Sequence, residues 1–519
     1  MQWESLCAIV LYLIATVSVG IYFFRKSLHK GGSEKEYFLG GRSMNGWVSA
    51  LSAGASDMSA WVLMGLPGTI YALGMGQVWI AVGLLIGTIA AWITVAPKLR
   101  RYSIIAGDAI TIPQFLSNRF LTQSKSLQVI AAVVFMITYC IYAASSIYAC
   151  GLVFNATIGM NPQTAMAIAA AVIVFYTFLG GFQAVCWTDF FQGMMMLAAL
   201  MATPIIAFLL IQGNGFVRPD AAFPANYFQW FPGGSDHWVS FYNVVNGIAW
   251  GLGYFGMPHI LIRYFAIKSE KEMKKSQIIG CSWITVILLM AVLVGLLGRY
   301  YLGAPSNPNG PQMVFVDMVR KIFDWIGTQT GLVSASIFFA GLLLSAILAA
   351  SMSSADSQLL ISSSAFASDI YKPVFRKKAS DKEMMWAGRI IVFVMAVIAY
   401  LIAANPDCKG IMSLVSCAWG AFGAAFGPVI LLALYWKRLT CLGAAAGIAA
   451  GFCVDGAWYV AGNVLKIQHT GILRALDIYE ILPGFLCGLI AAVIVSKLDK
   501  APSQEVCDLF DKASSNISE

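Results

Sequence analysis

The chain has 519 residues, 59% hydrophobic and only 11% charged; soluble domains carry about 25% charge, so a soluble globular protein is excluded. The formal net charge of +8 does not indicate nucleic acid, because the basic residues sit between apolar stretches, the positive-inside pattern of a membrane protein. The eleven cysteines are odd in number, contain no C-x-x-C pair and fall mostly in apolar stretches, which argues against a disulfide or zinc framework.

Windows of about 20 apolar residues predict an all-α integral membrane protein. Thirteen spans are expected near 6–24, 46–67, 76–96, 127–155, 163–180, 189–212, 240–265, 277–300, 331–364, 387–404, 411–435, 440–462 and 480–496. The first lacks a basic region before it and a small-residue cleavage site after it, so it reads as a retained helix rather than a signal peptide. The stretch after Lys497 is about twenty residues, so a single membrane domain without a fused module is expected, with membrane lipid as its surroundings and no protein partner evident.

Alternate connections divide the Lys and Arg unequally. One side (25–42, 98–125, 263–275, 367–389, 437–438 and the tail) holds 26; the other holds Arg218, Arg299, Arg320, Lys321, Lys409, Lys466 and Arg474. On this count no Lys or Arg lies in the middle of a span. The asymmetry places the N-terminus outside and the C-terminus in the cytoplasm.

The second span contains LSAGASDMSAW, residues 51–61, with Gly54, Ser56, Asp57 and Ser59 at its centre. An Asp at mid-membrane costs about 2.5–3.5 kcal/mol on insertion scales, so Asp57 must face protein or water and marks a functional site. Small residues there would let the helix unwind and free carbonyls for a cation. A matching interruption, WGLGYFGMPH at 250–259, lies five spans later. Proline removes a backbone donor there, and glycine is expected to carry the strained backbone angles. A kink explains either break alone; paired breaks in two halves point to an inverted-repeat transporter with its site at the midplane. The ninth span carries Ser351, Ser353, Ser354, Asp356 and Ser357, oxygen donors of the kind a hard cation such as sodium takes. Serines also simply bond the preceding turn, an account that covers Ser362 to Ser364.

Other residues keep two readings. Asp189 either caps the start of the sixth span or lies on an ion path. Asp455, in the twelfth span, is expected to face a structural partner rather than to take a role in transport. Arg42 is a snorkelling interface residue or an inward ion gate. Trp250 and Tyr254, four apart, share a face if that piece is helical, and Tyr142 is a further candidate wall. A half-helix N-terminus there would attract a carboxylate and aromatic faces a cationic amine. No H-E-x-x-H, G-x-S-x-G or Walker loop is present, and the four histidines (His29, His237, His259, His469) are widely spaced. The chain is therefore not expected to be an enzyme, and an ion gradient is the expected energy source.

The runs LGGRSMNGWVSALSAGASDMSAWVLMGLPG (39–68), GGFQAVCWTD (180–189), WGLGYFGMPHIL (250–261), LLLSAILAASMSSADSQLL (342–360) and WGAFGAAFGPV (419–429) resemble the sodium/solute symporter family, specifically its sodium/proline symporter branch. The similarity runs over nearly the whole chain. It implies a LeuT-like core of two inverted five-helix repeats, 46–212 and 240–435, with an extra helix at 6–24, two at 440–496, and a cytoplasmic tail at 497–519. It implies co-transported sodium held by carbonyls of Ala55, Met58 and Ala350 and hydroxyls of Ser353 and Ser354. It implies a proline pocket shaped by Tyr142, Trp250, Tyr254 and Pro258, with Ser59 and Ala60 nearby. Counterparts of Asp57 and Arg42 are tied to sodium coupling in the branch, and that of Asp189 to a second cation site in some members. Three departures stand out: Ser354 where the best-known branch member has Thr, Ala60 where Gly is usual, and Asp356–Ser357 where that member has a Ser-Cys pair. The last leaves one or two sodium ions per cycle open. The function expected is uptake of L-proline across the plasma membrane, driven by sodium. Another amino or imino acid, a betaine, a solute-gated sodium channel or a sensor are the alternatives. A sialic acid cargo would call for an intramembrane Arg, which the sequence does not show near the breaks.

Overall fold

The computed structural model describes residues 3–28, 34–122, 124–213, 223–234, 236–307, 309–408, 410–465 and 470–515; Arg218, Lys409, Lys466, His29 and His469 of the sequence reading lie outside them. Among the described residues the architecture is all-helical, with a single isolated bridge between Met44 and Ile267. This is what a bilayer demands, since a spanning segment must satisfy its own backbone groups.

Ten helices are long and apolar enough to cross a membrane. Three further crossings are shorter or interrupted: Gly46–Asp57 continued by Trp61–Leu73, the piece beginning at Pro162, and His237–Ala249 continued to Ala266. Together they give the thirteen spans expected, most of them bounded within a few residues. Polar caps set several starts. Asn45 Oδ1 accepts from Val48 N at 2.9 Å before the second span, Asp236 Oδ1 from Trp238 N at 3.0 Å before the seventh, and Thr440 Oγ1 from Gly443 N at 3.1 Å before the twelfth, each satisfying a donor the helix leaves open. The fifth and sixth spans run on from one another through Gly181, whose φ of 59° only glycine adopts readily. The sixth span therefore begins near 181, eight residues before its expected start.

Both breaks are present. The second span stops at Asp57, passes Met58 (φ −82°, ψ 70°) and Ser59, and resumes as a π-helical turn from Trp61 to Gly65. The seventh tightens to a 3-10 turn over Trp250–Phe255, loosens at Gly256 and Met257, and restarts with Pro258 at its first position, where proline's missing donor costs nothing. The glycines of this break do not carry strained angles, contrary to expectation: none of Gly251, Gly253 and Gly256 has positive φ. They serve close approach instead. A Cβ on Gly251 would lie 2.4 Å from the Gly83 carbonyl oxygen of the third span, and one on Gly253 would lie 2.0 Å from Trp419 Nε1.

Candidate functional site

The second and ninth spans meet at the first break. In the ninth span, Val333–Ser364, Ser353 Oγ donates to the Ala55 carbonyl at 2.9 Å and lies 3.0 Å from the Ala350 carbonyl. Its neighbour Ser354 is fully buried, with a hydroxyl that has no hydrogen-bond partner. Ser351, so similar in sequence, turns back to the Ile347 carbonyl of its own helix at 2.8 Å. Of the residues expected to hold sodium, Ala55, Ala350 and Ser353 thus meet through one hydroxyl; Ser354 is the next residue of the ninth span, and Met58 is the unwound residue after Asp57. An all-oxygen set with one unsatisfied buried hydroxyl fits a hard monovalent ion.

Asp57 faces protein, as expected, but away from this point. Its Oδ2 accepts from Tyr254 Oη at 2.6 Å, and its Oδ1 has no partner. Its carbonyl accepts from Trp61 Nε1 at 3.0 Å and from Tyr142 Oη at 3.4 Å. Asp57 therefore ties the first break to Tyr254 at the second, beside a void of about 10 Å³, roughly the room of one water. Ser59, Ala60, Tyr142, Trp250, Tyr254 and Pro258 are all buried. Trp250 and Tyr254 share a face, as their spacing predicts, and both turn to Trp419 of the eleventh span, with ring centroids 6.2 and 5.1 Å away. Trp419 Nε1 donates to the Trp250 carbonyl at 2.7 Å. On the side of the spans with few basic residues, a cavity of about 460 Å³ is lined by Gly65, Tyr148, Gln312 and Met412; a Cβ on Gly65 would fall 2.7 Å from Met412 Sδ.

A second polar cluster surrounds a residue the sequence reading left in a connection. Arg263 lies within the seventh span and is buried. Its Nη2 reaches Asp189 Oδ2 at 2.8 Å and Ser357 Oγ at 2.5 Å, its Nε reaches Ser52 Oγ at 2.8 Å, and its Nη1 reaches the His259 carbonyl at 2.6 Å. Ser52 passes a hydrogen to Asp189 at 2.7 Å, and Ser357 to Asp356 at 3.2 Å. The assignment of Arg263 to a connection is therefore corrected, as is the expected absence of an intramembrane Arg near a break. Four partners occupy this guanidinium, which holds two carboxylate-bearing spans to the seventh. Asp189 is no helix cap, since the helix begins near Gly181. His259, likewise overlooked, meets Tyr139 Oη through Nδ1 at 3.2 Å.

Arg42 does not snorkel. Its side chain is 9% exposed, with Nε on Asp108 Oδ1 at 2.8 Å, Nη1 on Ser103 Oγ at 3.0 Å and the Phe265 carbonyl at 2.7 Å, and Nη2 on the Ala109 carbonyl at 2.8 Å. Lys35 pairs with the same Asp108 carboxylate. Burial raises the Asp108 carboxyl, but its hydrogen bonds to Lys35 and Arg42 win and hold it below the usual carboxylate range. This latch, reinforced by Arg100 on the Ile267 and Lys268 carbonyls, joins the ends of the third and seventh spans on the basic side.

The family model of the sodium:solute symporter family matches residues 37–451. The chain belongs to the sodium:solute symporter family. It is accordingly a sodium-coupled transporter of the membrane, not an enzyme. It is 41% identical over 513 residues to the osmoregulated proline transporter OpuE of Bacillus subtilis (strain 168), covering 98% of each chain. It is 41% identical to the high-affinity proline transporter PutP of the same organism, covering 93% of this chain and 97% of that one. The match to a sodium/proline symporter of Staphylococcus aureus (strain USA300) is 38% identical and covers 96% and 94%. Among solved structures, a substrate-bound, outward-open Na+-coupled sialic acid symporter superposes with a TM-score of 0.74 at 20% identity, covering 96% of this symporter and 99% of that chain. The nucleobase-cation-symport-1 transporter Mhp1 gives 0.52 at 13%, covering 93% and 98%. Both likenesses establish the fold, that of the LeuT-like symporters.

Proposed function

We propose that this symporter takes up L-proline with inward-moving sodium by alternating access. The observation that carries the ion site is the Ser353 hydroxyl set between the Ala55 and Ala350 carbonyls beside the unpartnered Ser354. Sodium takes the place of that hydroxyl hydrogen bond and is held by Ala55, Met58, Ala350, Ser353 and Ser354. Binding there fixes the second span against the ninth and forms the proline pocket among Ser59, Ala60, Tyr142, Trp250, Tyr254 and Pro258, a positive linkage between ion and solute. Asp57 transmits the coupling through Tyr254. The Arg263 cluster with Asp189, Asp356 and Ser357, and the Arg42–Asp108 latch, hold the seventh span during the cycle. The relatives named as proline transporters, at 38–41% identity over nearly the whole chain, support the choice of cargo.

In this reading the repeats are residues 46–212 and 240–435, flanked by helices at 6–24 and 440–496 and a tail at 497–519. The N-terminus lies outside a plasma membrane and the C-terminus in the cytoplasm, with the Arg42 latch closing the inward path. One charge crossing 100 mV supplies about 2.3 kcal/mol and a tenfold sodium gradient about 1.4 kcal/mol, enough together for an accumulation of roughly several hundred-fold.

The test is flux of labelled proline into proteoliposomes under imposed gradients. An inward sodium gradient should drive accumulation and a proton gradient should not; proton-driven uptake overturns the ion assignment. Competition by a panel of amino acids, imino acids and betaines checks the cargo, and a compound that displaces proline at lower concentration than proline itself replaces it.

A further inference from the structure

The twelfth span, Cys441–Tyr459 with a π-helical continuation to Val464, packs on the thirteenth, Ile481–Leu498, through glycines four apart. A Cβ on Gly443 would lie 1.9 Å from Ser496 Oγ and one on Gly447 2.9 Å from Ala492 Cβ, while at Gly451 the row meets the eleventh span, with a Cβ 2.2 Å from the Ala424 carbonyl oxygen. The next position of this row is not glycine but Asp455, 2% exposed. Its Oδ1 is buried and has no hydrogen-bond partner. It points at Gly420 of the eleventh span, where a Cβ would stand 2.8 Å from that oxygen and 3.3 Å from Glu480 Cγ. Asp455 Oδ1 and the Glu480 side chain thus flank one gap left open by a glycine. Glu480 is itself 6% exposed, and among the described residues no Lys, Arg or His pairs with either acid. The titratable groups facing the pair are the Cys417 thiol from the eleventh span, the Tyr459 phenol from the twelfth, and Tyr479 from the connection before the thirteenth. None of them supplies a positive charge.

Two buried acids bordering one gap resist ionising together without a cation, because desolvation and mutual repulsion act in the same direction. The glycine faces and the thiol give an alkali ion no ring of oxygens, whereas a proton needs only the two carboxyl groups. We propose that Asp455 and Glu480 form a buried proton-binding site, the two carboxyl groups holding one exchangeable proton behind the aromatic wall of the transport site. The wall is within reach: Tyr479, next to Glu480, packs on Trp250 with ring centroids 5.2 Å apart and bonds the Ser416 carbonyl through Oη at 2.7 Å. Losing the proton would charge the seam and push the thirteenth span and Tyr479 away from Trp250.

The test is infrared difference spectroscopy of the full-length protein in lipid, following the carbonyl band of a protonated carboxyl group as pH is raised. The wild type should show one such band bleaching with pH that is unaffected by added sodium. It should bleach about one pH unit earlier in Asp455→Asn or Glu480→Gln, where the neutral amide removes the repulsion, and be missing in the double variant. Sodium-driven uptake near neutral pH reports that each variant is folded. A wild-type spectrum without a titrating carboxyl band, single variants that titrate with the wild type, or a band displaced by sodium would each overturn the site.

Discussion

Ser351 and Ser353 are two residues apart on one helix, both buried, and nothing in the sequence separates them. The structure does: Ser351 bonds the turn behind it, with no hydrogen bond to the second span's carbonyls among the described residues, while Ser353 bridges the Ala55 and Ala350 carbonyls. Ser353→Ala removes one oxygen from the proposed ion shell and the hydroxyl that links the second and ninth spans. A hydrogen bond of this kind contributes about 1 kcal/mol net. Loss of the ion contact together with that link should weaken sodium by about 1–2 kcal/mol, roughly 5- to 30-fold. The assay is initial uptake of labelled proline into proteoliposomes over a range of sodium concentrations. Ser353→Ala should shift half-activation by that factor and leave the maximal rate at saturating sodium largely intact, while Ser351→Ala should behave as the wild type. Equal shifts in the two variants, or a Ser353→Ala protein whose sodium curve does not move, would refute the reasoning.

Asp57→Asn keeps the shape of the side chain but weakens its bond to Tyr254, so sodium activation should fall much more than proline affinity measured at saturating sodium; equal loss of both counts against a coupling role. Asp189→Asn leaves the Arg263 charge buried without its carboxylate, a change that costs about 3–5 kcal/mol in such settings, and should lower the thermal midpoint of the purified protein; a midpoint equal to the wild type would remove the structural role given to that pair. Because Lys35 and Arg42 depress the Asp108 carboxyl, the latch stays ionised through the neutral range and opens only as pH falls below the ordinary carboxylate range. Hydrogen exchange over residues 103–109, corrected for its intrinsic pH dependence, should therefore be constant from about pH 5 to pH 8, and a rise in opening across that window would contradict the assignment.

The thirteen spans were legible because the lipid core demands long apolar runs, and both breaks were legible because Asp57, Ser59 and Pro258 violate that demand. What stayed hidden depends on long-range contact. Arg263 looked like the first residue of a basic connection; only the fold brings Asp189, 74 positions away, to its guanidinium. The partners of Arg42, at 103–109 and Phe265, carry no local signal that they meet. The helix Val314–Thr330 was overlooked for another reason, since Asp317, Arg320, Lys321 and Asp324 keep its hydropathy low although its other face is buried. Glycines at the second break were expected to carry strained backbone angles, whereas they serve close contact, a distinction that needs the neighbouring backbone. The serine block was read as a whole, and the division between Ser351 and Ser353 is a matter of which carbonyl lies opposite.

The central claim is that a sodium ion between the broken second span and the ninth forms the solute pocket. Equilibrium binding to the purified protein tests it most directly, with labelled proline titrated in sodium and in choline, and sodium titrated with and without proline. Sodium should tighten proline, and proline should tighten sodium by the same factor, as linkage requires. Proline binding of equal strength in choline and in sodium would contradict the account.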